Sequence, residues 1–124
     1  MAEEVRAEKE FISFKVQTKD SSVIFRVNLL GKYWVENILM AILVAKELGM
    51  SLEEISGACQ KIKPLSGAMK LIRTSKDLNV IDATYSANLN GVISHLDYLE
   101  VWSGKKIIIM PCLIELGSSS REIH

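Results

Sequence analysis

Apolar residues alternate between Phe11 and Gln17, placing Ile12, Phe14 and Val16 on one side, and Val23, Phe25 and Val27 repeat the pattern before Asn28. A period of two marks a strand with one buried face. The Thr-Lys-Asp-Ser run at 18–21 between them is turn chemistry, so the two runs predict a β-hairpin. The period then lengthens. Ile38, Ala41, Ile42, Ala45 and Leu48 recur in steps of three and four, which predicts a helix from about Trp34 to Leu48 that Gly49 closes. Ser51 and Glu54 stand in the relation of a capping box and open a second helix, expected to run to about Ile62, where Lys63-Pro64 stops it.

A turn is expected at Ser66-Gly67, then a short strand at Met69 to Arg73. Leu78 to Ala83 is mostly apolar and reads as a strand buried on both faces. Val92, Leu96 and Leu99 predict a helix to about Trp102, and Lys105 to Met110, with three successive isoleucines, predicts another strand. Strand, helix and strand at this spacing form a βαβ unit, hence parallel pairing and a right-handed crossover. The expected fold class is α/β: a β-hairpin plus two helices, then a partial βαβ unit with parallel strands, with the boundary near 64–67. At 124 residues the chain suits one domain or parts of two. The run 118–124 reads as a helix start without its helix, which raises the expectation that the chain is cut at both ends.

Composition narrows the class. Apolar residues make up 48% and aromatic residues only 6%, which favours strands between helices over a base-stacking surface. Lys plus Arg and Asp plus Glu are 15 each, so the formal charge is zero and the basic excess that nucleic-acid binding draws on is missing. No apolar run reaches the roughly 18 residues of a membrane span, and the charged stretch Met1 to Glu10 is no signal peptide. Cys59 and Cys112 form neither a disulfide framework nor a zinc motif, no His, Asp or Glu pair has metal spacing, and a reducing cytoplasm is the default expectation.

The densest chemistry lies in Asp82-Ala83-Thr84-Tyr85-Ser86-Ala87-Asn88, which leaves the carboxyl end of a strand and opens a helix. Open α/β sheets bind ligands there, a carboxylate can accept from ribose hydroxyls, and helix amides favour phosphate. Asp82 and Asn88 can equally serve only to turn the loop and cap the helix. Asn37, in the first turn of its helix, either reaches a base or faces solvent. Gly31-Lys32 belongs to no phosphate loop, since GxxxxGK[ST] is absent. Cys112 reads as an inert buried thiol, His95 as a solvated helix residue, and Trp34 and Trp102 as packing residues.

Four blocks, in order, resemble the Mur ligase family, ATP-dependent enzymes that join an amino acid or dipeptide to a UDP-muramoyl precursor. The branch that adds D-alanyl-D-alanine matches best. Leu30 to Asn37 resembles the family's G-x-H-N-x-x-N block, Lys63 to Met69 its P-x-x-G-R-M block, Asp82 to Asn88 its D-D-S-Y-N-A-N-P block, and Met110 to Gly117 its E-L-G block. The resemblance implies that 1–63 is the tail of a central ATPase domain and that 64–124 starts a C-terminal, Rossmann-like domain. It implies a nucleotide-facing set of Asn37, Asp82, Tyr85 and Asn88. It further implies ATP and magnesium as cofactors of the parent and a UDP-muramoyl peptide as its partner, with no catalytic or metal-binding residue in this stretch. Tyr33 and Trp34 stand in place of the pattern's His-Asn pair, Ala68 of its arginine, Ala83 of its second aspartate, Leu89 of its proline and Cys112 of a glycine. The chain then reads as an inactive ligase fragment or as a degenerate, non-catalytic binding module. The fragment reading leaves apolar faces exposed and predicts self-association.

Overall fold

The structure, a computed structural model, describes residues 2–64, 68–75, 78–85, 88–113 and 116–123. The hairpin forms as the alternation requires. β2 (Ile12–Gln17) and β3 (Ser22–Val27) pair antiparallel, with Phe14 opposite Phe25 and Ile12 opposite Val27. The Phe14 and Phe25 rings stack with centroids 5.5 Å apart. A third strand that the pattern did not predict, β1 (Ala2–Ala7), lies on the outer edge of β2. Its charges hid it, and Glu3, Glu4 and Arg6 are the kind of residues that blunt a free edge. The register jumps between Glu3 and Arg6, one extra residue on β1, and Glu4 takes the left-handed φ of 53° that such a bulge needs.

α1 (Trp34–Glu47) buries Val35, Ile38 and Ile42, while Ala41 and Leu48, expected on the buried face, lie outside. α2 (Leu52–Cys59) opens on the expected capping box. Ser51 Oγ accepts from the Glu54 N–H at 3.2 Å, and the Glu54 carboxylate accepts from the Ser51 N–H at 2.8 Å. It ends three residues short of Ile62 and buries Leu52, Ile55, Ser56 and Cys59. Asn28 Nδ2 donates to the Gln60 carbonyl and Ser56 Oγ to that of Ile24, fastening α2 to β3. The resulting core runs from Ile12 and Phe14 through Val27 and Ile38 to Leu52 and Cys59.

The later half is also α/β, with one difference in pairing. β4 (Lys70–Arg73) and β5 (Asn79–Asp82) form a two-stranded antiparallel sheet, followed by α3 (Leu89–Leu99). Residues 105–110 form no strand, so the parallel ladder of the expected βαβ unit is not made. They do run beside Ile81, Ala83 and the Val92–Leu96–Leu99 face of α3. A parallel strand is stable when both of its faces are covered. Ile109 is 94% exposed, and on β5, expected to be buried, Val80 is exposed as well. A 3-10 turn (Gly117–Ser119) and one turn of helix, α4 (Ser120–Ile123), follow. The expected turn at Ser66-Gly67, and Glu115 of the last block, lie outside the described residues. Among those described, no helix is long and apolar enough to cross a membrane.

The two halves meet at a second, smaller core of Leu30, Met69 and Tyr98, against which Ala7, Tyr33, Ile81 and Trp102 pack. The corner between β1 and β2 fastens it. Tyr98 Oη donates to the Lys9 carbonyl at 2.8 Å, the Lys9 ammonium sits 5.1 Å from the centre of the Trp102 ring, and Arg73 pairs with Glu10.

Candidate functional site

Three of the four blocks converge on one cleft of about 430 Å³. Tyr33 and Trp34 from the start of α1, Ala68 and Met69 ahead of β4, and Ala83, Tyr85 and Asn88 after β5 line it, together with Asn90, Gly91, Ser94 and His95 of α3. Gly31 makes the close approach possible. Its φ is +89°, and a Cβ there would meet the Tyr33 ring at 2.7 Å and Met69 Cε at 2.9 Å.

The wall is aromatic. Tyr33 and Trp34 have ring centroids 5.3 Å apart, and His95 meets Tyr33 edge-on at 6.2 Å. Burial pushes the Tyr33 hydroxyl above its ordinary range, against a smaller opposing effect of its hydrogen bond to Trp34, and lowers the His95 imidazole below its own. Both rings are therefore neutral at pH 7. His95, expected to be solvated, is half-buried against Tyr33, while Cys112, expected to be a buried thiol, is exposed and Cys59 is the buried one.

The four residues that resemblance singled out are not placed alike. Tyr85 lines the cleft and is 82% exposed at its rim. Asn88 lines it while capping α3, its Oδ1 accepting from the Gly91 N–H at 2.8 Å. Asp82 is half-buried, and its Oδ1 accepts from the Thr84 N–H and hydroxyl at 3.2 and 2.8 Å, which turns the loop. Asn37 is exposed one turn beyond Tyr33 on α1 and does not line the cleft. In the sequence Tyr33 and Trp34 read as departures from the family pattern, Trp34 also as a packing residue, and His95 as a solvated helix residue. The available signal was the clustering of the departures inside the blocks. Among the described residues, no three His, Cys, Asp or Glu side chains gather as a metal site.

This fold resembles that of a stretch of the Mur ligases. Profiles of known protein families gave no match. The particular relatives add D-alanyl-D-alanine. The UDP-N-acetylmuramoyl-tripeptide--D-alanyl-D-alanine ligase of Buchnera aphidicola subsp. Baizongia pistaciae is 28% identical over 90% of this chain and 24% of its own length. That of Escherichia coli K12 is 24% identical over 90% of this chain and 25% of its own. The crystal structure of MurF from Acinetobacter baumannii superposes with a TM-score of 0.87 at 28% identity, over 98% of this chain and 27% of that one. The chain thus spans about a quarter of the length of the relatives it matches.

Proposed function

We propose that this chain corresponds to the stretch of an ATP-dependent, amide-forming ligase of peptidoglycan precursor synthesis that supplies the adenosine-side wall and the start of the amine-binding domain. Residues 1–63 are the tail of the central domain and 64–124 the start of the C-terminal one, working in the cytoplasm. Of the set Asn37, Asp82, Tyr85 and Asn88, the cleft-lining Tyr85 and Asn88 face the nucleotide directly and Asn37 and Asp82 stand outside its lining, with magnesium and the UDP-muramoyl peptide held by the remainder of such an enzyme. One observation carries the reading: three blocks from separate parts of the sequence line a single cleft. Amide formation through an acyl phosphate needs a held phosphate, stabilised charge and a positioned amine. This chain offers neither a phosphate loop nor a metal cluster among its described residues. The purified chain with ATP and magnesium is expected to release no phosphate above the blank, and release above it overturns the assignment of inactivity. A GxxxxGK[ST] motif encoded in frame ahead of Met1 supports the ligase reading.

A second reading, a degenerate non-catalytic binding module, is favoured by Ala68 and Ala83, which line the cleft where the family pattern has an arginine and an aspartate. It predicts that no such motif lies upstream. The fragment reading expects self-association through exposed apolar faces such as Leu43, Val44 and Leu48 on α1 and Ile107–Ile109. A monodisperse monomer by light scattering at high concentration counts against that reading.

A further inference from the structure

We infer that the cleft selects an uncharged, planar heteroaromatic ligand, a nucleoside rather than a nucleoside polyphosphate. The inference rests on the nucleotide-facing reading of the cleft and narrows it. Among the described residues, none that lines the cleft carries a formal charge at pH 7, since Tyr33 and His95 are neutral and the others are aromatic, amide, hydroxyl or apolar groups. Polyphosphate recognition draws on cations, bidentate arginine above all, and the residue standing where the family pattern has its arginine is Ala68. The neighbouring groove, which shares Tyr33 and Ser94 with the cleft, does not repair this. It sets Arg6 and Lys32 against Glu8, Asp97 and Glu100, an excess of negative charge that repels phosphate.

What remains suits a flat neutral ring. Tyr33 and Trp34 offer a stacking wall, and the exposed Tyr85 ring at the rim offers a further aromatic surface. The amides of Asn88 and Asn90 and the Ser94 hydroxyl offer donors and acceptors to a ring edge or to sugar hydroxyls. At about 430 Å³ the cleft lies within the ordinary range for small-molecule sites. ATP and magnesium therefore do not fit the residues present, although adenosine does.

Calorimetric titration of the full chain with adenosine, AMP and magnesium-ATP at low salt tests this. Adenosine is expected to bind at least as tightly as ATP, with AMP between them. Tyr85→Ala, on an exposed side chain that leaves folding intact by circular dichroism, is expected to weaken adenosine about tenfold through lost stacking. Ala68→Arg is expected to raise ATP affinity about tenfold while leaving adenosine within about twofold. ATP binding more than tenfold tighter than adenosine to the unmodified chain overturns the inference and leaves the nucleotide reading of the cleft standing. Failure of all three ligands to bind overturns both.

Discussion

Residues 12–59 and residues 68–113 are both rich in Ile, Leu and Val, yet the two stretches use them differently. Twelve described residues of the first join one buried cluster. The second contributes Met69 and Tyr98 to a cluster that Leu30 of the first stretch completes. In the first, a three-stranded sheet has α2 packed on β3 and α1 alongside, so each element buries one apolar face, although Ile24 and the Leu43, Val44 and Leu48 side of α1 stay exposed. In the second, β5 and residues 107–110 turn apolar side chains outward. Apolar content supplies the driving force, but stability follows the area actually covered. The first half should hold itself together, and the second should depend on its fastening to the first.

The largest expected effect is in the first half. Phe14→Ala removes a ring that is 1% exposed and stacked on Phe25, and should cost about 3–5 kcal/mol in urea unfolding. A loss below about 1 kcal/mol would mean that this core is not what holds the chain. Tyr98→Ala should strike next hardest and unequally. Amide exchange across α3 should accelerate sharply while β2 and β3 keep their protection, because Tyr98 is the buried anchor between the halves. Equal acceleration everywhere would erase the contrast. Ser51→Ala breaks the capping box on α2 and should cost about 1 kcal/mol. In a chain whose first half supports the second, that loss should appear in a single unfolding transition.

The smallest effect is a pH slope. Burial lowers the folded-state pKa of His95 below its ordinary value of about 6.5. The unfolded chain thus takes up the proton first. Stability is fully present above that value and declines as pH falls through it toward the lowered folded value. His95→Gln should flatten the decline of the unfolding midpoint as pH falls below about 6.5. An unchanged slope would place the histidine in solvent.

Much of this was legible in the chain. The hairpin follows from strict alternation of Ile12, Phe14, Val16 with Val23, Phe25, Val27, and α2 begins where its capping box says. β1 escaped because an edge strand needs little apolar content, and Ala2, Val5 and Ala7 among charges do not read as a buried face. The run 105–110 misled in the opposite way, since three isoleucines announce a strand only where a partner and cover exist. For the candidate site, local pattern located the loop from Asp82 to Asn88 and the start of α1. It could not reveal that Tyr33, Trp34 and His95 form one wall, because His95 lies some 60 residues from the other two in the sequence and meets Tyr33 only in the folded chain.

The fastening of the β1–β2 corner to α3 has a mechanical consequence. It grips the helix at Tyr98, and Trp102 just beyond it, while the cleft is bordered by Asn88, Asn90, Gly91, Ser94 and His95 from the cap onward. α3 is thus a lever pinned at one end, with an arm of roughly 15 Å between pin and cap. Each degree of rotation at the pin carries the cap of the helix by about a quarter of an ångström relative to the Tyr33–Trp34 wall. The cleft thus has two supports on α3, the His95–Tyr33 ring contact within it and the Tyr98–Lys9 hydrogen bond one turn further along.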